Sequence, residues 1–254
     1  MGNNLLKFGA VAGIVTIVIS LIGCAQTMKL SKLEILILKE NGYDDSKSKV
    51  ISYIEEIDYE ENHEIIVNTI FDSGNLQLID QLVEYFPDDF RNYIISGDAY
   101  LKNAMMQQTI GVFMKSSAAV SFNKAKENYI RALELNNKDI YVHGILGFIY
   151  GDNKEYDKAE KLFYKGLEIS PNNPLLYLAL GQMFDRRKEY NTAIDYYERI
   201  LEFTEDEVER DFEHMNQYYH KFMEFYPDSL AKAKEEARKC LKKDYKKTRR
   251  ETIL

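Results

Sequence analysis

The sequence has few of the residues that interrupt helices. Its 254 residues include four prolines and thirteen glycines, a composition that favours long helices over many short strands. Tryptophan is absent, and nineteen tyrosines and thirteen phenylalanines supply the large aromatic contact surfaces instead. Since 45% of the residues are hydrophobic and 29% are charged, most of the chain is expected to fold. Its length suits one elongated domain or two small ones.

Positive charge is scarce outside the C-terminal end. The formal net charge is −8, and residues 230–254 contain ten Lys or Arg against four Asp or Glu. That segment therefore carries +6, and the residues before it carry −14. An acidic body argues against nucleic-acid binding, because contacts to phosphates need a basic face. The basic end is either a solvated helix or a contact for anionic lipid or an acidic partner.

The sequence also lacks the motifs of common catalytic and metal sites. Its four histidines, His63, His143, His214 and His220, belong to no HExxH or Cys/His metal spacing. It contains no glycine-rich phosphate loop and no G-x-S-x-G turn. We therefore predict no catalytic residue, no cofactor and no metal site, and we expect a binding protein rather than an enzyme.

The N-terminal segment, residues 1–24, has the order of a secretory signal. Residues 1–7 contain one lysine and no acid, residues 8–22 are almost wholly apolar, and the small Gly23 precedes Cys24. A positive, then an apolar, then a small-residue region is typical of a signal peptide. The alternative is an uncleaved transmembrane helix, since the uncharged run 8–25 just reaches the ~18 residues that a span needs.

Residues 21–24, LIGC, resemble the lipobox of bacterial lipoproteins. In that family the cysteine thiol receives a diacylglyceryl group, and the peptide bond before it is cut. The resemblance implies that residues 1–23 are removed and that Cys24 is lipidated, so that acyl chains hold the mature chain at a membrane. Cys240 is then the only thiol, which excludes an intramolecular disulfide. The resemblance also implies the bacterial cell envelope, at the outer membrane if the cell has one, because Ala25 follows the cysteine.

Two stretches of the chain repeat with a fixed spacing. Residues 140–171 align with residues 174–205, and their offset of about 34 residues is typical of a helical repeat. The pairs that recur are Leu146 and Leu180, Gly147 and Gly181, Tyr150 and Phe184, Tyr156 and Tyr190, Ala159 and Ala193, Phe163 and Tyr197, and Leu167 and Leu201. Each glycine falls in mid-helix, where it costs up to about 1 kcal/mol against alanine. We therefore expect it to permit close approach of the neighbouring helix.

This pattern resembles the tetratricopeptide repeat, in which L-G-x-x-Y marks the first helix of a hairpin and A-x-x-x-F marks the second. Pro171 stands where that family places its repeat-ending proline. The resemblance implies an all-α fold, a tetratricopeptide-type solenoid of helical hairpins with N- and C-terminal capping helices. Because each hairpin leaves an apolar face uncovered, the repeats are expected to stack.

A third copy of the repeat precedes these two and is interrupted. Ala125 and Tyr129 continue the second-helix pattern, and Gly97 continues the first. The separation of Gly97 from Gly147 exceeds the repeat spacing, so the chain carries an insert, which lies within the nearly uncharged stretch 101–121. The insert is an extended first helix or an apolar helical lid, or else simply a longer helical hairpin.

These patterns divide the chain into four segments. Residues 1–23 are the signal peptide, 24–74 an N-terminal helical cap, 75–205 about three tetratricopeptide-like repeats, and 206–254 a C-terminal helical pair with the basic tail. Polar terminal helices are what a solenoid needs to cover its open ends.

In tetratricopeptide arrays the first helices of successive hairpins line a groove that binds an extended peptide or a partner helix. The groove positions that the resemblance implies are Tyr141, Gly144, Ile145, Phe148 and Asp152 in one repeat and Leu175, Leu178, Ala179, Gln182 and Arg186 in the next. The set is largely apolar and aromatic, which favours a hydrophobic or amphipathic ligand. The alternative is that the insert or the terminal helices cover these residues.

The leading hypothesis is a membrane-anchored lipoprotein scaffold that binds a protein or peptide partner through this groove. Residues 75–135 are also loosely similar to lipoproteins associated with TRAP-type solute uptake, which implies a periplasmic ligand-binding accessory of a solute transporter. A closed pocket beneath residues 101–121 would favour this alternative, and an open groove would favour the scaffold.

Overall fold

The computed structural model of the chain describes residues 32, 49–110, 115–208 and 229–251. The predicted signal peptide and Cys24 lie outside these described residues. The chain divides into two compact units, Met1–Pro87 and Asp88–Leu254. The described ranges contain helices and no strand.

The first unit contains three described helices. They are α1 (Lys49–Glu56), α2 (Tyr59–Ser73) and α3 (Leu76–Tyr85). Each helix contributes fully buried aliphatic side chains, among them Ile51, Ile66 and Leu82, and the rings of Tyr59 and Phe86 stack with their centroids 3.8 Å apart. The α3 segment, which the sequence analysis assigns to the repeats, lies in this unit.

The second unit is a stack of antiparallel helical pairs. Its described helices are α4 (Phe90–Ile110), α5 (Lys115–Leu135), α6 (Ile140–Asp152), α7 (Tyr156–Ile169), α8 (Pro174–Arg186), α9 (Tyr190–Glu202) and α10 (Ser229–Glu251). The pairs α4–α5, α6–α7 and α8–α9 pack within themselves, and the second helix of each pair packs on the pair or helix that follows. This arrangement confirms the predicted fold class, an all-α tetratricopeptide-type stack of hairpins.

Side chains just before the first helices determine where those helices begin. Asp139 accepts a hydrogen bond from the backbone N–H of Val142 over 2.9 Å, and Asn173 accepts one from Leu176 over 3.2 Å. Both satisfy helical N–H groups that have no partner within the helix. Pro174 occupies the first turn of α8, where its missing N–H costs nothing.

The turn inside each of the last two hairpins places a lysine in the left-handed region. Lys154 has φ 63° and Lys188 has φ 66°, at equivalent positions of the two repeats. In the first turn the Glu155 N–H donates to the carbonyl of Tyr150 over 2.9 Å, and the same bond recurs one repeat later. These bonds close the end of the first helix in the way that usually selects glycine, so lysine here is a conformational cost that both repeats share.

A glycine of the first helix contacts an aromatic ring of the second helix in every pair. The contacts join Gly97 to Tyr129, Gly147 to Phe163 and Gly181 to Tyr197. A Cβ atom at any of these glycines would lie 2.5 or 2.6 Å from a ring carbon, well inside van der Waals contact. The rings are buried. This is the close approach that the sequence predicts, and it occurs in the interrupted first pair as well.

The insert lengthens both helices of the first pair. The helices α4 and α5 each have 21 residues, whereas α6 has 13. The extension packs through the buried Ala104 and Ala118, and the amide of Asn103 donates to the hydroxyl of Ser121 over 3.1 Å. Of the alternatives for residues 101–121, the described part therefore has the form of a longer hairpin.

The α10 helix packs on α8 and α9 and caps this end of the core. Leu230, Ala233 and Ala237 are buried, and both alanines join the cluster that holds Phe163 and Tyr197. The Lys234 ammonium donates to the carbonyl of Phe203 over 2.6 Å. Because Phe203 ends α9, this bond satisfies a carbonyl that no helical N–H reaches.

Among the described residues, no helix is both long enough and apolar enough to cross a membrane. The apolar run 8–22 lies outside these residues, so its role as a signal peptide stays a prediction.

We expect Gly147→Ala to destabilise the chain by about 1–3 kcal/mol, because the added methyl group overpacks the contact with the Phe163 ring. Gly144→Ala, one turn earlier on the same helix, is the matched control. Its Cβ would lie at an ordinary 3.5 Å from Leu176, so we expect no loss and up to about 1 kcal/mol of gain in helix propensity. Urea unfolding followed by circular dichroism compares the two. Equal effects of both substitutions would contradict the close-contact role of Gly147.

Candidate partner-binding face

The predicted groove residues lie on the first helices of the last two pairs, and we call these ten positions the first-helix face. On α6 they follow a spacing of three or four residues, which places them on one side of a helix. Tyr141 and Ile145 are half-buried, whereas Phe148 and Asp152 are exposed. Phe148 leaves 47% of its surface accessible, although α6 is otherwise a strongly buried helix.

The α8 part of the first-helix face is less open. Leu175, Leu178 and Gln182 are half-buried, and Arg186 is exposed. The two leucines also pack against the core cluster of this unit, so part of their apolar surface is already used. Only part of their apolar surface is therefore accessible to a ligand.

The structure brings Phe148, Asp152 and Arg186 together across the two helices. The Arg186 guanidinium lies 3.3 Å from the Asp152 carboxylate and 5.9 Å from the centroid of the Phe148 ring. Both partners of the ion pair are exposed, at 44% and 60% of their side-chain surface. Such exposed pairs contribute about 0.2–1 kcal/mol, so a ligand can take either partner at little cost.

Tyr141 makes a different connection. Its hydroxyl donates to Asp98 Oδ1 on α4 over 2.6 Å, and the hydroxyl of Tyr129 donates to the same oxygen over 2.6 Å. Asp98 follows Gly97, as Phe148 follows the glycine of the next repeat, so Asp98 is the corresponding position in the first pair. Asp98 is not among the predicted groove residues, although the repeat register extended across the insert leads to it.

Asp98 is a buried carboxyl group of which only one oxygen atom accepts hydrogen bonds. It is 4% exposed, and its Oδ2 atom is buried without a hydrogen-bond partner. Burial raises the pKa of Asp98 to about 7, the two tyrosine hydrogen bonds oppose that rise, and the nearby charge of Asp139 adds to it. The group therefore changes charge near neutral pH, at the junction between the first and second pairs.

The described residues contain no cluster of three or more His, Cys, Asp or Glu side chains that could hold a metal ion. His143 is buried with its Nε2 atom 2.9 Å from the carbonyl of Asn137, and burial lowers its pKa. His63 is buried too, with its ring edge-on to Tyr59. His214 and His220 lie outside the described residues.

The sequence model of the tetratricopeptide repeat family matches residues 139–206. This match spans the pairs α6–α7 and α8–α9, which carry the first-helix face. Among solved structures, the chain is similar to one described as the crystal structure of MamA, with a TM-score of 0.40 and 19% sequence identity. That similarity covers 67% of this chain and 78% of the other. No curated protein is significantly similar to the chain.

We expect Asp98→Asn to change how stability depends on pH. In the native protein the folded state keeps a proton up to about pH 7, whereas the unfolded carboxyl releases it near its ordinary pKa of about 4. Asp98 therefore lowers stability progressively as pH rises between these values, by at most about 1.4 kcal/mol per pH unit. Asparagine cannot ionise, so the stability of Asp98→Asn relative to wild type should rise across the same range.

Urea unfolding from about pH 4.5 to pH 8 measures this difference. The titration of His143 occurs in both proteins and cancels when they are compared. Asp195→Asn is the control for loss of one carboxylate, since Asp195 is exposed on α9. We expect the progressive gain relative to wild type in Asp98→Asn and not in the control. A flat difference for Asp98→Asn would refute the raised pKa.

Proposed function

We propose that this chain is a lipid-anchored scaffold of a bacterial cell envelope, which binds a protein or peptide partner through the first-helix face. Two features of the chain support the proposal. The lipobox-like residues 21–24 support the anchor, and the stacked tetratricopeptide-type hairpins support the role in protein interaction. The residues proposed to act are Cys24 for lipidation and the first-helix face for binding.

One observation carries the binding role. Phe148 is a large aromatic residue that the fold leaves 47% exposed, although neighbouring positions of α6 are buried. Aromatic residues are enriched in protein interfaces, where burying one supplies much of the binding free energy. The adjacent Arg186 and Asp152 offer one group of each charge beside the ring, which suits an amphipathic segment better than a purely apolar one.

The insert gives no specific support to the transporter-accessory alternative. Its described residues continue the first hairpin, and Met105 and Met106 on that extension are more than half exposed. The extension is about 12 Å long, the length of eight helical residues. We therefore keep the scaffold as the proposed function.

The proposed anchor would act together with the face. A lipidated Cys24 confines the chain to a membrane surface, which raises the effective concentration of the face toward partners on the same membrane. A moderate affinity at the face is then sufficient for a stable assembly. At the outer membrane, if the cell has one, such partners would be other envelope proteins.

A photo-cross-linking amino acid placed at Phe148 of the full chain, in its own cells, tests both parts of the proposal. We expect one discrete cross-linked protein, found in the membrane fraction, because the face binds its partner at the membrane. The same cross-linked species should form from Gln182, on the neighbouring helix of the face. For the anchor, we expect mass spectrometry of the native chain to find residues 1–23 absent and a diacylglyceryl group on Cys24, and Cys24→Ala should abolish both changes.

Ile169 supplies the control position, because it is 38% exposed and lies on a second helix, α7. A cross-linker at Ile169 should not capture the same protein. Equal capture from Ile169 would argue against binding at the face and would leave the anchor intact. Conversely, native protein that retains residues 1–23 with an unmodified Cys24 would exclude the lipid anchor and would leave binding at the face intact.

A further inference from the structure

The charge of α10 is divided unevenly along the helix. Residues 242–251, which we call the terminal basic segment, contain six basic residues and two acidic ones. Their net charge is +4 in a chain whose total is −8. The α10 helix continues through this segment to Glu251, so the charges are spaced along about 15 Å of helix.

The packing of α10 fixes which side of the helix the basic positions occupy. The packed positions Leu230, Ala233, Ala237 and Leu241 follow spacings of three or four residues and define one stripe. At about 100° per residue, the basic positions of the terminal segment all fall within an arc of about 160°, centred opposite that stripe. These positions are Lys242, Lys243, Lys246, Lys247, Arg249 and Arg250. Asp244 and Glu251 fall on the stripe's own side of the helix.

The first half of α10 does not extend this basic face. Lys239 lies there 2.8 Å from Glu235 and 2.8 Å from Glu236, and all three side chains are about half exposed or more. The exposed Lys232 lies on the same side, so two lysines balance two carboxylates and this part of the face is neutral. The excess of basic positions on that side of the helix therefore begins with the terminal basic segment.

We infer that the terminal basic segment is a docking surface for an anionic lipid bilayer. Its basic positions form a strip along one side of the helix, and Tyr245 is the one large apolar residue of the segment. Such a strip suits attraction to a flat charged surface rather than insertion or a fitted pocket. Each Lys or Arg close to such a surface strengthens binding roughly fivefold. The acidic remainder of the chain opposes binding along a nucleic acid.

This inference goes beyond the proposed function, because it assigns a second membrane contact at the opposite end of the sequence from Cys24. It depends neither on the acyl chains nor on the first-helix face. The test therefore uses the polypeptide from residue 24 onward with Cys24→Ser, which carries no lipid and retains an unaltered face.

Co-sedimentation with vesicles measures the contact. The vesicles contain either phosphatidylcholine alone or phosphatidylcholine with about 30% phosphatidylglycerol, which gives the surface a negative charge. We expect at least tenfold tighter binding to the anionic vesicles at low salt, and release as the salt concentration rises. We expect an at least tenfold loss of affinity for the anionic vesicles in a variant that carries Lys246→Gln, Lys247→Gln, Arg249→Gln and Arg250→Gln.

A control variant changes the net charge by the same amount elsewhere. It carries Lys154→Gln, Lys161→Gln, Lys165→Gln and Lys188→Gln, all at exposed positions of the hairpins, and it should bind like the parent chain. Circular dichroism checks that each variant stays folded. Equal binding to neutral and anionic vesicles would overturn the inference, as would an equal loss in the two variants. Binding to an acidic protein without binding to anionic vesicles would also overturn it.

Discussion

The contact between a first-helix glycine and a second-helix aromatic ring is the constraint on which the hairpin stack depends. At Gly97, Gly147 and Gly181 the space that a Cβ atom would occupy is already filled by a ring. Glycine lowers helix stability at these positions, but it allows the helix backbone to lie directly on a large aromatic surface. The ring is thereby buried. Burial of an aromatic side chain stabilises the fold by more than glycine costs in helix propensity.

The same constraint explains why the first-helix face varies while the scaffold does not. In each pair the residue after the glycine holds the same helical position, and the three residues are Asp98, Phe148 and Gln182. Asp98 is buried, Phe148 is exposed and Gln182 is half-buried. Since the glycine and the ring fix the hairpin, the next position is free to carry a carboxyl, an aromatic or an amide group. The proposed binding residues therefore stand on a hairpin frame whose packing does not depend on them.

Periodicity made most of the fold of residues 140–205 predictable. The constant repeat spacing locates the helices, and the glycine within each first helix indicates that another helix lies close to it. The burial of Asp98 was not predictable in this way, because the equivalent positions Phe148 and Gln182 are not buried. Its environment also depends on Tyr141 of the next pair, a tertiary contact that sequence spacing alone does not specify.

Two other features could not be predicted from the sequence, because they depend on how the helices pack. The excess of basic residues at the C-terminal end is visible in the sequence, but its confinement to one side of α10 follows only from which residues pack on α8 and α9. The left-handed lysines at 154 and 188 are likewise set by the turn between packed helices, since lysine has no preference for that conformation. By contrast, the lipid anchor at Cys24 follows from a sequence resemblance and stays a proposal.

A double-mutant cycle on Gly181 and Tyr197 tests the central constraint most directly. Gly181→Ala is measured by urea unfolding in the native background and in Tyr197→Leu, whose shorter side chain leaves room for the added methyl group. The account predicts that alanine costs at least about 1 kcal/mol less beside leucine than beside tyrosine, a coupling typical of residues in direct contact. If the losses of stability in Gly181→Ala and Tyr197→Leu instead sum to that of the double mutant within about 0.5 kcal/mol, the claim that the ring requires glycine is contradicted.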